Sequence, residues 1–377
     1  MNNARIYFDN AATSYPKPRS VIEAIERCLV TAGGNPGRSS HALAAAAAEL
    51  IYNTRCSIGE LLDVKAPESI VFTLNATYAL NLAIKSQIRK GMYVLIGNME
   101  HNAVYRPINA LKRDGTIEFD VFNCREDPIA SITRVARRTP DMIVLNHVSN
   151  VDGHRCDIER LGAYCAQNKI LFIIDASQSV GHLPISFSKT GATALCAPGH
   201  KGLFGIQGCG FICFSTDKEA KTIIEGGSGS TSLSSEMPRQ LPERLEAGTL
   251  PTPAVASLQA GVERIKAFGV RAIEEHERAL VLRAKDMLDS LGATVYSAKN
   301  GGGVLSFNYK NVHPSTIGEG LSREGICVRT GLHCSPLAHR TIGTLPNGTV
   351  RLSFSIFNDQ NELNFFYKAL KNILFLV

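Results

Sequence analysis

Three side chains stand out by type and spacing. The apolar run Ile170–Ile174 ends in Asp175, within I-I-D-A-S-Q-S-V-G, and Gln178 follows three residues later. Lys201 lies in A-P-G-H-K-G, a tight turn between two short apolar segments. An acid at the carboxyl end of a buried strand stands where open α/β sheets hold their ligands. A lysine in the following turn reaches the same crevice. One cofactor needs both an amine to form a Schiff base and an acid to keep a pyridine nitrogen protonated. Pyridoxal phosphate (PLP) is that cofactor, and Gln178 is placed to bond its phenolic oxygen. On spacing alone, a strand-end Asp and a surface Lys are also ordinary structural residues.

A second constellation is R-T-G-L-H-C-S-P, Arg329–Pro336. Cys334 sits there in a polar, glycine-containing loop beside His333, with Arg329 upstream and Arg351 opening the next strand. Reactive thiols need exposure and nearby positive charge, and arginine recognises carboxylates through paired bonds. A nucleophilic Cys, a His and two Arg in one segment suit chemistry on an amino acid that bears a soft atom. A loop cysteine with incidental neighbours is the plain alternative.

The elements that must position these groups read as a strand–helix alternation. Strands are expected over Ser69–Thr73, Met92–Ile96, Thr116–Val121, Met142–Asn146 and Ile170–Asp175, with helices over 77–85, 103–113, 127–138 and 158–168 between them. That rhythm predicts an α/β fold, a mostly parallel sheet with helices on both faces. Before it come a short strand at Ile6, a helix opening near Pro18, the loop G-G-N-P-G-R-S-S-H with Arg38 and His41, and an alanine-rich helix over 42–62. Helix N-terminal N–H groups bind phosphate, which makes Asn75, Ala76 and Thr77 candidates for the cofactor phosphate. His101 and Asn150 each follow a further strand, so four strand ends offer polar groups to one crevice. Gly208–Ser215 reads as another strand, and the stretch from Glu225 to about Leu245 as a lid. The turn-rich E-A-G-T-L-P-T-P (Glu246–Pro253) breaks the pattern before two long helices, 254–267 and 270–291. The tail reads as a smaller α+β unit, with strands near Val304–Asn308, Cys327–Arg329 and Thr349–Phe354 and a last helix over 360–375. The expected division is an N-terminal segment 1–15 packing with the tail, a large domain 16–253 and a small domain 254–377.

Composition bounds the function. The 377 residues are 44% hydrophobic and 20% charged, an ordinary globular profile. The net charge of +6 is scattered, with no basic stripe beyond Arg134, Arg137 and Arg138, so no nucleic-acid partner is expected. The 10 cysteines include no CxxC pair, and no metal site is expected. No signal-peptide pattern precedes Ile6, and no apolar run approaches the roughly eighteen residues of a membrane span. The expected setting is the reducing cytoplasm, away from membranes. Glu225–Ser232 lacks the Lys-Ser/Thr of a P-loop, and no G-x-G-x-x-G follows the first strand.

In order along the chain, F-D-N-A-A-T, N-P-G-R-S-S-H, E-H-N-A, H-V-S-N-V-D-G, D-A-S-Q-S-V-G, G-H-K-G, L-E-A-G-T and R-T-G-L-H-C-S-P resemble the class V, fold-type I PLP enzymes. They are most similar to the cysteine desulfurase and selenocysteine lyase group. The resemblance implies Lys201 as the Schiff-base lysine, Asp175 as the pyridinium partner, Gln178 on the phenolic oxygen and His101 stacked on the ring. It puts Thr77 and His200 on the phosphate, and Thr249 on the phosphate of a neighbouring subunit, hence a homodimer. Arg351 and Asn150 fall on carboxylate-binding positions, assisted by Arg329, and Cys334 on the sulfur-accepting cysteine. The sixteen residues between Cys334 and Arg351 look like the shorter, group II pattern. Pro198, Ala76, Asn102 and Leu332 depart from common family residues, a Ser, a Thr and two His, in the phosphate and proton-transfer regions.

The implied reaction converts L-cysteine to L-alanine. Lys201 takes the α-proton, Cys334 attacks the substrate sulfur, His101 serves as acid or base, and a persulfide on Cys334 passes to an acceptor protein. Selenocysteine lyase, acting on L-selenocysteine, is the nearest alternative. A class V aminotransferase or epimerase is the next, although neither needs a cysteine at position 334.

Overall fold

The apolar runs become strands because helices cover them on both faces. From its N-terminal end the chain forms β1 (Ile6–Tyr7), α1 (Arg19–Thr31), α2 (Ala42–Leu62), β2 (Ile70–Thr73), α3 (Ala76–Gln87), β3 (Met92–Gly97), α4 (Asn102–Arg113) and β4 (Ile117–Phe122). Next come α5 (Pro128–Val135), β5 (Met142–Asn146), α6 (Ile158–Gln167), β6 (Leu171–Asp175), the short α7 (Phe187–Thr190), β7 (Ala194–Pro198) and β8 (Gly210–Phe214). Helices α8 (Thr252–Phe268) and α9 (Val270–Ser290) lead to β9 (Thr294–Tyr296), β10 (Val304–Asn308), α10 (Pro314–Arg323), β11 (Ile326–Cys327), β12 (Arg329–Gly331), α11 (Pro336–Thr341), β13 (Thr349–Ser353) and α12 (Gln360–Phe375). The structure is a computed structural model that describes residues 5–37, 40–215, 220–230 and 232–376. Arg38 of the early glycine-rich loop lies outside the described residues.

Seven strands form the main sheet in the order β2-β8-β7-β6-β5-β3-β4. Strands β3 to β7 run parallel to their neighbours in this set, and β8 is antiparallel to both β7 and β2. The chain steps outward from β3 to β4, then returns to the other side of β3 to lay down β5. Strand order therefore reverses between β3 and β5, the switch point at which such sheets open a crevice. Every residue of β5, β7 and β8 is buried. Alternate residues feed two cores. Ile143, Leu145, Phe172 and Ile174 pack on one face, and Met142, Val144, Ile173 and Ala194 on the other.

A second, antiparallel sheet has the order β12-β13-β10-β9. It packs through Leu305, Phe307, Val350 and Leu352 against α9, α10 and α12. Strand β1 pairs with β11, Ile6 opposite Ile326 and Tyr7 opposite Cys327. Phe8 is fully buried in the core of this second sheet.

Several elements differ from the sequence reading. The strand expected over Cys327–Arg329 is divided at Val328, because β11 serves β1 while β12 serves β13. Helix α5 stops at Val135 instead of Arg138. The next residues turn extended so that the Arg137 and Arg138 guanidinium groups lie over the Tyr93 ring and pair with Asp120 and Asp141. Helices α10 and α11 were not foreseen, although each opens on the His-Pro or Ser-Pro step that suits a first helical turn. Among the described residues no helix is long and apolar enough to cross a membrane.

Helix α8 supports the turn that carries Lys201. Gly261 lies so close to this turn that a Cβ there would stand 1.9 Å from the Leu203 carbonyl oxygen. Gly261→Ala should therefore destabilise the apoprotein by about 1–3 kcal/mol, read as a lower thermal midpoint; an unchanged midpoint would show that the turn gives way freely.

Candidate active site

The crevice at the switch point is a cavity of about 770 Å³. Its wall is assembled from the ends of β2, β3, β5, β6 and β7, the N-terminal segment, and the tail sheet. Asp175, 3% exposed, ends β6 and accepts a hydrogen bond at Oδ1 from the Ser177 amide at 2.9 Å. Gln178 donates through Nε2 to the Ala11 carbonyl at 2.9 Å. His101 follows β3 and caps α4, its Nδ1 accepting from the Ala103 amide at 3.0 Å. Asn75 caps α3 in the same way, accepting from Tyr78 N at 3.1 Å, so that Ala76 and Thr77 form the first helical turn at the cavity wall. Lys201 and His200 enter from the turn after β7. The His200 carbonyl is held by Ser14 N, Thr13 Oγ1 and Lys17 Nζ, each at 3.0 Å.

The tail contributes two cations. Arg329 and Arg351 face each other across the β12–β13 ladder, so both side chains project from the same face. Like charges so placed repel unless an anion lies between or beside them. Arg351 is 1% exposed, and its guanidinium is held by Asp9 Oδ1 at 2.6 Å and donates to the Asn150 carbonyl at 3.1 Å. Burial pushes its pKa down, and Asp9 opposes that shift. Asp9 was missed as a site residue by sequence reasoning. The only signal was its place in F-D-N-A-A-T, and no local pattern ties it to a residue 342 positions away. Arg329 donates through Nη2 to Cys334 Sγ at 3.4 Å. Cys334 is exposed, whereas the other nine cysteines are buried or half-buried.

Burial sets the protonation of this wall. The Lys201 amine is pushed down to about 8, chiefly by burial; Asp175 opposes the shift, while Arg351 and Arg329 add to it. Burial brings His101 down to about 4 against the pull of Asp175. It brings His200 to about 4 as well, helped by Lys201 and Lys17. Near neutral pH both imidazoles are uncharged, and Lys201 loses its proton far more readily than a solvated lysine, although most of it is still protonated there.

The set has the donors PLP requires. Asp175 provides a buried acid, Lys201 an amine made less basic by its surroundings, and α3 a helix N-terminus. His200 Nδ1 is buried without a partner among the described residues. A phosphate oxygen would satisfy it. Pro198, one of the departures, lines the cavity beside them. Asn102 and Leu332 take part here through their backbones only, Asn102 N donating to Cys334 O at 2.8 Å and Leu332 O accepting from Ser335 N at 2.8 Å.

Two residues do not line this cavity. Cys334 stands outside it and is joined to it through Arg329. Thr249 is exposed and lies elsewhere, its hydroxyl accepting from Asn35 Nδ2 at 3.2 Å. Asn150 does line the cavity, but its side chain bonds the loop of Cys334. Among the described residues no group of three or more His, Cys, Asp or Glu is placed to hold a metal ion.

Residues 6–366 match the model of the family "Aminotransferase class-V". A probable cysteine desulfurase of Pyrococcus abyssi is 30% identical over 98% of this chain and 94% of its own length. A cysteine desulfurase of Escherichia coli is 28% identical over 97% of this chain and 93% of its own. The apo structure of cysteine desulfurase from Thermococcus onnurineus superposes with a TM-score of 0.93 at 28% identity, covering 100% of this chain and 96% of that one. A cavity whose lining fits pyridoxal phosphate, a fold-type I sheet and near full-length similarity agree: the chain belongs to the class-V aminotransferase family of PLP-dependent enzymes.

Proposed function

We propose that this protein is a cysteine desulfurase that converts L-cysteine to L-alanine and collects the sulfur as a persulfide on Cys334. The observation that carries this reading is the exposed Cys334 thiol, held by Arg329, which itself lines the cavity of Lys201 and Asp175. A transaminase or epimerase has no use for a thiol in that place. The similar proteins named cysteine desulfurases support the same reading.

Asp175, Gln178, His200 and Thr77 would hold the cofactor, His101 would pack on its ring, and Lys201 would bind it covalently. When bound, PLP supplies the electron sink that makes the substrate α-proton acidic. Arg351, assisted by Arg329, takes the substrate carboxylate. Lys201 is the base at the α-carbon, a role its lowered basicity suits. Cys334 Sγ then bonds the substrate sulfur. The carbon–sulfur bond breaks, its electron pair stays with the carbon fragment, and protonation of that fragment gives alanine. His101, uncharged at neutral pH, is the nearby acid–base group. The exposure of Cys334 leaves the persulfide within reach of an acceptor protein.

Thr249 suggests how two copies assemble. It lies outside its own chain's cavity and on the surface, which fits a role at a partner's phosphate in a homodimer. Sedimentation should show a dimer at assay concentrations; a fully active monomer would remove that role.

The thiol is the decisive test of the activity. Cys334→Ala should abolish alanine formation from L-cysteine while keeping PLP bound. It should leave substantial turnover of L-selenocysteine, because selenium leaves carbon without a thiol to accept it. L-cysteine desulfuration at the wild-type rate would sink the proposal.

Lys201 predicts a pH dependence. Below about 8 its amine is protonated and cannot attack an aldehyde, and above about 8 it is free. The rate at which apoprotein takes up PLP, followed by absorbance, should therefore rise with pH through a midpoint near about 8. A rate flat from pH 6 to 10 would contradict the depressed amine.

A further inference from the structure

Cys334 sits in a loop whose backbone needs support. His333 and Cys334 are consecutive non-glycine residues in the left-handed region, at φ +49° and +58°. Side chains of L-residues seldom adopt that region, and two in succession persist only where surrounding contacts fix them.

Asn150 supplies the contacts. Its Nδ2 donates to the His333 carbonyl at 2.8 Å, and its Oδ1 accepts from the Ser335 hydroxyl at 2.7 Å. One carboxamide thus grips the residue on each side of Cys334. The arrangement is shielded from water, with Asn150 5%, His333 2% and Ser335 0% exposed. Hydrogen bonds in such a setting are costly to leave unmade. The Asn150 carbonyl in turn accepts from Arg351 Nη1 at 3.1 Å. The same residue therefore joins the carboxylate-binding cation to the sulfur-accepting loop.

We infer that Asn150, clamped to Ser335, is the positioning residue for the Cys334 thiol, and that holding this sulfur acceptor, more than binding the substrate carboxylate, is what its side chain does for the reaction. The turnover part of this inference rests on the desulfurase reading; the geometry of the clamp does not.

The test uses Ser335→Ala, which removes one jaw of the clamp and leaves Asn150 in place, together with Asn150→Asp, which still accepts from Ser335 but cannot donate to His333. Hydrogen–deuterium exchange of the peptide covering 329–340 in the whole protein should accelerate by about tenfold in both, the size expected for one lost buried hydrogen bond. With L-cysteine, kcat of Ser335→Ala should fall by about tenfold at nearly constant KM, while its L-selenocysteine turnover stays at the wild-type level. That split separates a misplaced thiol from a generally damaged fold. Unchanged exchange in both variants would overturn the clamp. A raised KM at constant kcat in Asn150→Asp would return the residue to carboxylate binding. If the wild-type protein forms no alanine from L-cysteine, the desulfurase reading fails, and the exchange measurement still decides the clamp.

Discussion

Arg351 is a cation with almost no surface of its own, and three distant parts of the chain are placed by the need to satisfy it. A buried charge without partners costs several kcal/mol. The partners here are Asp9 from the N-terminal segment and the carbonyl of Asn150 from the loop after β5. Strand β13 itself belongs to the tail sheet. One guanidinium therefore sets the distance between the two sheets and the path of the first residues. Because Arg329 stands opposite it on β12, the same placement gathers positive charge on the side of the crevice that faces Lys201.

That concentration of charge is answered by removing charge elsewhere. His101 and His200 are kept neutral by burial, and His333 is driven down to about 2 by burial and by Arg351. Asp175 is the acid that lines the same crevice. The result is a lining whose imidazoles are uncharged, and whose charge is confined to Asp175, Lys201 and the two arginines. Such an arrangement suits a substrate that carries a carboxylate at one end and reacts at the neighbouring carbon.

Much of this was legible in the sequence, for physical reasons that differ between regions. Strand–helix alternation is written in local periodicity, so α2 and α12 begin and end where their patterns predict. Asp175, His101 and Lys201 were found because strand ends in a parallel sheet share one edge. The role of Asp9 was not legible, because an ion pair between residues this far apart leaves no local trace. The engagement of Asn150 was also hidden: its type suggests a ligand-facing amide, and only the folded loop shows what its two ends hold. The break at Val328 escaped notice because the two halves follow each other as one short extended run, and the choice of partner sheet is made elsewhere in the chain.

The pairing of β1 with β11, and of Asp9 with Arg351, bears on how the protein is made. Residues 6–9 leave the ribosome long before the groups that receive them. Phe8, fully buried in the finished protein, has no core to enter until the tail strands exist. Until those strands are made the main sheet can assemble around its own parallel strands, while the anion-binding wall stays open and Phe8 waits. The site is therefore finished only after β13 is made, and a chain truncated before β13 would carry the lysine and the cysteine without the cation that sets them to a common substrate.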